Sequence, residues 1–317
     1  MITPVIDLGG TIIKVGLVRD GRMIHASSMP ANAHEGLAKQ FPRIESAIRQ
    51  SCEKSGVKLS ACAGVGLAFP GIIDPRANRI ISSPKDKYDD GATIDLNDWS
   101  QQTLGLLARV ENDAHAALLG EWQFGSGRAV ENLVMVTLGT GIGTSVLIGG
   151  RPLRGRHHQA GVLGGHLIVD PNGRPCICGA RGCFEAQCGS WAIPEIVRAE
   201  PHFSSSELSR QPQIDYSTIF RLAGAGDSLA LRMRDRALGW WGALLVTLIH
   251  SFDPERIVIG GGIMRSADII IPHLQKFIDA NAWTPCARVL AVPAALGDDA
   301  GGLGLHWLFT TKELDYV

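Results

Sequence analysis

A duplicated α/β chain of two lobes is the fold that the sequence predicts, and three features predict it. Offset so that Val5 meets Met135, the chain aligns with itself: Leu8, Gly9, Ile12 and Leu17 fall on Leu138, Gly139, Ile142 and Leu147. Each copy is an apolar strand, a Gly/Thr turn and a second apolar strand, which is the signature of a β-hairpin occurring twice. The 317 residues exceed one average domain, and 45% of them are apolar, enough for a large core. A third glycine turn, at the end of the apolar run Arg256 to Ile263, closes another strand in three glycines. Each lobe is expected to open on its own glycine hairpin, with the two hairpins facing one another across a cleft.

The remaining elements follow in order. Residues 1–112 form the expected N-terminal α/β lobe. Residues 113–299 form the C-terminal one, and a helix over about 300–317 is expected to pack back on the first. Gly64 to Asp74 reads as a buried strand broken at Pro70-Gly71, and Ser82 to Trp99 as a polar loop rich in Lys and Asp. Leu104 to Val110 leads into Glu111-Asn112-Asp113, after which Ala114 to Trp122 has helical composition. Ala192 to Ser217 is polar and weakly periodic, suited to surface helices and loops. Arg221 to Phe252 is helical with a break near Gly226, and Asp299 to Thr311 again suggests a helix.

One short stretch, His166 to Glu185, concentrates the metal-binding chemistry. It places one imidazole and three thiols at His166-x9-Cys176-x-Cys178-x4-Cys183, with Gly173, Pro175, Gly179 and Gly182 allowing the backbone to curl. Four such donors suit a closed tetrahedral zinc site of structural type. Cys188 lies close enough in sequence to take the place of His166. The competing reading is buried or disulfide-linked cysteines.

Composition excludes several classes. The net charge is −1 and no Lys/Arg cluster exists to follow a phosphate backbone, so nucleic acid is not an expected partner. The N-terminus MITPVIDLGG lacks a targeting pattern, and the apolar run from Trp240 to Ile249 is too short for a membrane span. Seven cysteines, four of them in one loop, suit a reducing compartment, so the protein is expected to be cytoplasmic. There is no G-x4-G-K-[ST] sequence. The run Gly139-x-Gly141-x-Gly143 has the wrong spacing for a dinucleotide fold and continues as strand.

Glycine at a tight turn can serve a positive φ or let bare N–H groups approach an anion. Two such turns with hydroxyls near them, Thr11 in one and Thr137, Thr140 and Thr144 in the other, resemble two phosphate-binding loops for one nucleotide. The donors would be Gly9, Gly10 and Thr11 with Gly139, Thr140 and Gly141. A base or ribose would lie against the Gly260-Gly261-Gly262 turn. Asp7, at the end of the first strand, is placed to hold magnesium through water or simply to cap its turn.

Taken in order, these motifs resemble the ROK family of sugar kinases and repressors. The resemblance covers nearly the whole chain. It rests on Asp7-Leu-Gly-Gly-Thr11, Pro70-Gly71, Glu111-Asn-Asp113, Leu138-Gly-Thr-Gly-Ile-Gly143 and Gly165-His166. It continues through Cys176-x-Cys178-Gly, Gly182-Cys-Phe-Glu185, Asp253-Pro254, Gly260-Gly-Gly262 and Leu296-Gly-Asp-Asp-Ala300. The resemblance implies an actin-like ATPase fold of the ribonuclease H-like class, ATP with magnesium, and transfer of the γ-phosphoryl group to a sugar hydroxyl. Repressor members carry a DNA-binding helix-turn-helix ahead of the first hairpin. Here that hairpin begins almost at residue one, so the kinase branch is expected.

On its residues alone Asp113 reads equally as a helix N-cap or as a base. The resemblance implies the general base. It also implies that Asn112, Asp113, His166 and Glu185 bind sugar hydroxyls, with the zinc fixing His166 and the backbone leading to Glu185. Family members commonly form dimers or larger assemblies, so a homo-oligomer is expected. Lys14 is placed to face either phosphates or solvent.

The chain departs from the family pattern at two places. The Glu that usually precedes Gly-His is Leu163, and the loop that usually offers Asn after Ala-Pro reads Ser83-Pro84-Lys85-Asp86-Lys87. Lost hydrogen bonds to a hydroxyl change discrimination strongly, so the preferred substrate is expected to differ from glucose. Lys85 and Lys87 would meet an acidic sugar or be solvated, and His157 and His158 would face the pocket or line their loop. The alternatives to a kinase are a catalytically silent sugar-sensing protein and, last, a zinc hydrolase, for which the four ligands leave no open position.

Overall fold

The computed structural model describes residues 1–311, which divide into two units. The first comprises Met1–Ala129, Arg151–Ala160 and the segment from Ala295 onward; the second comprises Val130–Gly150 and Gly161–Ala294.

In the first unit the strands are β1 Ile2–Leu8, β2 Ile12–Arg19, β3 Arg22–Pro30, β4 Val65–Phe69, β5 Ile72–Asp74, β6 Arg79–Ser82 and β7 Ala108–Asn112. Five of them form a sheet in the order β3-β2-β1-β4-β7, with β5 and β6 a separate pair. β1 runs antiparallel to β2 and parallel to β4, and β4 runs parallel to β7. Central β4 is buried along its length and reads as an unbroken run of apolar and small residues, as a strand covered on both faces must. Helices α1 Phe41–Lys54 and α2 Leu96–Leu104 pack with Ile6, Leu8, Ile13, Val15, Val65 and Leu67 in the larger core of this unit.

Helix α3, Asp113–Phe124, follows β7 directly and lies against the last helix, Ala300–Leu308. The two axes meet backbone to backbone. A Cβ on Gly120 would lie 2.0 Å from the Ala300 carbonyl oxygen, and one on Gly304 would lie 1.9 Å from that of Ala116. Val5, Val18, Ala68, Ala116, Leu119, Leu303, Leu305 and Leu308 form a second core there. This packing corrects the expected lobe boundary: α3 belongs to the first unit, and the division falls after Ala129 instead of at 112/113. The helix expected over about 300–317 spans Ala300–Leu308, and positions 312–317 lie outside the described residues.

A second five-stranded sheet repeats the pattern with β8 Leu133–Leu138, β9 Ile142–Ile148, β10 Arg151–Pro152, β11 Arg256–Gly260 and β12 Leu290–Pro293. The sheet order is β10-β9-β8-β11-β12, with β8 antiparallel to β9, parallel to β11, and β11 parallel to β12. β1 and β2 thus correspond to β8 and β9, the segments that align within the sequence. The helices of the second unit are α4 Phe184–Cys188, α5 Ile193–Arg198, α6 Tyr216–Gly224, α7 Ser228–Phe252 and α8 Ala267–Asn281; the last helix, α9, belongs to the first unit. The break expected near Gly226 separates α6 from α7. Gly226 has φ +89°, and Asp227 caps α7 by accepting the Ala230 N–H at 2.8 Å. Among the described residues no helix is long and apolar enough to cross a membrane.

Candidate active site and metal centre

The Glu111-Asn112-Asp113 run sits where β7 becomes α3. Asn112 has extended backbone, and its Oδ1 accepts the N–H groups of Ala114 at 3.0 Å and His115 at 3.1 Å. Asn112 is therefore the helix cap, and its Nδ2 donates to the Gly71 carbonyl at 3.0 Å. Asp113 is the first helical residue, and its carboxylate accepts the Ala114 N–H at 2.8 Å. Behind this junction lies a buried ionic cluster. Arg154 donates to both oxygens of Glu111, one at 2.9 Å, and Glu111 also accepts the Asn112 N–H at 2.7 Å. His115 packs beside them, and burial followed by the Arg154 charge pushes its imidazole well below the usual range.

Burial pushes the Asp113 carboxyl up to about 7, and the charge of Asp7 adds to the rise. The Ala114 N–H and the Lys87 ammonium oppose it. Asp7, at the end of β1, is raised chiefly by burial, lowered by Lys14 and raised by Asp298. It lines a cavity of about 260 Å³ with Lys14, Ser27, Ser28, Asp298 and Asp299. Lys14 pairs with Asp298 at 2.9 Å.

The first glycine turn links β1 to β2, with the Gly9 N–H donating to Ile12 O at 3.1 Å. Tyr88 is fully buried beneath it and its hydroxyl donates to the Gly9 carbonyl at 2.9 Å. Lys87 lies over Gly10: a Cβ on that residue would sit 3.0 Å from Nζ and 2.9 Å from Cε. Of the polar stretch expected as loop over 82–99, the segment from Leu96 is the start of α2, capped by Asp95. His158 approaches Asp74 at 3.7 Å.

In the second unit the Gly139 N–H donates to Gly141 O at 3.1 Å, closing the turn between β8 and β9. Glu185, buried at the start of α4, accepts the Ile142 N–H at 2.8 Å and the Trp191 Nε1–H at 3.2 Å. Gly141 is required beside it, since a Cβ there would lie 2.4 Å from Glu185 Oε2. Gly261 has φ +97°, and a Cβ on it would meet the Leu138 carbonyl oxygen at 2.2 Å. The third glycine turn thus abuts the end of β8, where the second glycine turn begins.

His166, Cys176, Cys178 and Cys183 converge, with ligand atoms all within 4.8 Å of one another. Cys178 Sγ and Cys183 Sγ are 3.7 Å apart, and Cys176 Sγ is 3.6 Å from His166 Nδ1. Two sulfurs held ~2.3 Å from one tetrahedral centre are ~3.8 Å apart, and a sulfur and an imidazole nitrogen ~3.6 Å. The donor set therefore fits zinc, whereas a disulfide requires ~2.0 Å. Cys188 stands outside the cluster, its thiol donating to Phe184 O at 3.2 Å. Leu163 is exposed just before the 3₁₀ turn that carries His166.

Asn112 and Asp113 lie in the first unit, His166 and Glu185 in the second. Sequence reasoning missed the cap role of Asn112, the Glu111–Arg154 pair, and the anchoring of Tyr88. An Asn one residue before a helix was a readable cap signal; the other two are long-range contacts with no local signature.

The ROK family model matches residues 3–312. The chain is 35% identical over 306 residues to a glucokinase of Thermotoga maritima, covering 94% of each. A ROK family glucokinase from Streptomyces griseus, solved with glucose and AMPPNP, superposes with TM-score 0.77 at 29% identity over 97% of this chain and 99% of that one. A ROK hexokinase from Thermus thermophilus gives 0.75 at 29% identity, covering 96% of each. The duplicated sheets are those of the actin-like ATPase fold, and the chain belongs to the ROK family.

Proposed function

We propose that the protein is an ATP-dependent carbohydrate kinase that transfers the γ-phosphoryl group of Mg-ATP to a hydroxyl of a hexose or hexose derivative, with Asp113 as general base. One observation carries the assignment of the base. Asn112 takes the capping role, which leaves Asp113 as a half-buried carboxylate poised near neutral pH. As the sugar oxygen bonds to the γ-phosphorus, its proton passes to Asp113. The bond from that phosphorus to the β,γ-bridging oxygen breaks, and ADP leaves with the electron pair.

Gly9, Gly10 and Thr11, with Gly139, Thr140 and Gly141, would donate N–H and O–H groups to the phosphates, and Gly261 and Gly262 would bear the base or ribose. Asp7 would hold magnesium through water, and the repulsion of Asp7 by Asp298 and of Asp113 by Asp7 suits a hard dication. Magnesium supplies charge neutralisation on the β- and γ-phosphates when bound. Asn112, Asp113, His166 and Glu185 would contact sugar hydroxyls; the contacts of Asn112 and Glu185 with backbone N–H groups fix their orientation. Zinc on His166, Cys176, Cys178 and Cys183 would have a structural role, holding His166 through Nδ1 with Nε2 left for a hydroxyl. Its thiolate ligands support a reducing, cytoplasmic location, and a homo-oligomer is in keeping with the family.

ADP release measured with neutral hexoses, amino sugars, N-acetylated sugars and acidic sugars, beside Asp113→Asn, tests the reading. Turnover with a sugar, abolished in the variant, is expected. Silence across the panel with sugar binding retained in calorimetry would instead assign a sensing protein.

A further inference from the structure

The Ser83–Lys87 loop, one of the two stretches expected to depart from the family pattern, is strapped onto the first glycine turn. Tyr88 adopts φ +53°, buries its ring and donates its hydroxyl to Gly9 O, while Ser83 Oγ holds the Tyr88 carbonyl at 2.8 Å. Asp90 fixes the far end by accepting the Ala38 N–H at 2.9 Å. Between these anchors the Lys87 side chain lies across Gly10, where a Cβ would sit 2.9 Å from its Cε and 3.0 Å from its Nζ. Lys14, the other lysine near this turn, is neutralised by Asp298, whereas among the described residues Lys87 makes no ion pair. The strap therefore presents an uncommitted ammonium where the turn's N–H groups end, within electrostatic reach of Asp113.

We propose that Lys87 is a further catalytic residue, its ammonium contacting the oxygens of the γ-phosphoryl group as that group passes from the β,γ-bridging oxygen to the sugar hydroxyl. The inference rests on the kinase reading above. A fixed cation at that point stabilises charge that spreads over the transferring group, and it favours the ionised form of the adjacent base. The competing role, recognition of an acidic group on the sugar, needs the same charge but a different partner.

Lys87→Met and Lys87→Arg, with wild type and Asp113→Asn as controls, are compared in steady-state kinetics on a neutral hexose that turns over and on an acidic sugar. The expected result is a fall in kcat of about 10²-fold in Lys87→Met on every sugar, little change in sugar KM, and partial recovery in Lys87→Arg. A kcat within twofold of wild type overturns the proposal, as does a loss confined to the KM of acidic sugars. Absence of sugar-dependent turnover in wild type strikes the kinase reading itself. Lys87 is exposed, so the variants are expected to melt with the wild type, and a melting curve separates lost chemistry from lost folding.

Discussion

Asn112 joins the start of α3 to the turn after β4: its Oδ1 caps the helix while its Nδ2 holds the Gly71 carbonyl at 3.0 Å. Asn112→Ala removes both functions and is expected to cost about 2 kcal/mol in urea unfolding, a cap and a hydrogen bond of about 1 kcal/mol each. Asn112→Asp keeps the cap and loses the donor. It should retain more of the stability than Asn112→Ala while kcat falls, because the neighbouring Asp113 is no longer oriented. Equal stability losses in the two variants would show that the cap contributes nothing.

The raised Asp113 carboxyl sets a pH dependence. With the carboxyl titrating at about 7, kcat/KM should rise with pH below that point and level off above it. Stability runs the other way. The unfolded carboxyl titrates at ~3.9, so the folded state binds this proton more tightly. The resulting stabilisation is fully present below pH ~4 and is lost as pH rises through about 7. Asp113→Asn should therefore gain melting temperature relative to wild type between those limits and hold the gain above them. A difference that is flat with pH would exclude burial as the cause.

Metal analysis separates the ligands. Wild type is expected to carry one zinc per chain, Cys178→Ser to lose it along with thermal stability, and Cys188→Ser to keep it, since that thiol faces Phe184 O. Loss of zinc from Cys188→Ser alone would reassign the site.

Arg154 and Glu111 form a buried pair. Arg154→Met strands a carboxylate and should cost about 3–5 kcal/mol by urea unfolding, whereas adding Glu111→Gln should recover much of that loss. An undiminished loss in the double variant would mean that Arg154 acts through packing alone.

At the crossing of α3 and α9 there is no space for a methyl group. Gly304→Ala is expected to cost about 3 kcal/mol in the same assay, because the obstacle is the Ala116 backbone and no side chain can swing away. Gly105→Ala serves as the contrast: its Cβ would meet nothing, and its cost should reflect only the positive φ of +67°.

Both glycine hairpins and the metal loop were legible because each is local: strand alternation, turn glycines and ligand spacing all lie within about twenty residues. The repeat between Val5 to Val18 and Met135 to Ile148 went further and gave the matching sheets. The lobe boundary was missed because α3 follows β7 without a linker, so nothing in composition marks which unit it joins; contacts with α9 decide that. Asp113 was separable from a cap only once Asn112 was seen accepting two N–H groups. Lys87 reads as a charge in a solvated loop until its neighbour Tyr88 is seen bonded to Gly9, far away in sequence.

The order in which the chain is made has its own consequence. The strands of the first sheet leave the ribosome early, but α9, whose Leu303, Leu305 and Leu308 complete the core around Val5, Val18 and Ala68, is the last described helix to emerge. The second unit, inserted between them, is fully synthesised by Ala294. During translation the inserted unit can close before α9 emerges, while the first unit waits with an uncovered apolar face. That interval is when a nascent chain is most exposed to mispairing or capture by a chaperone.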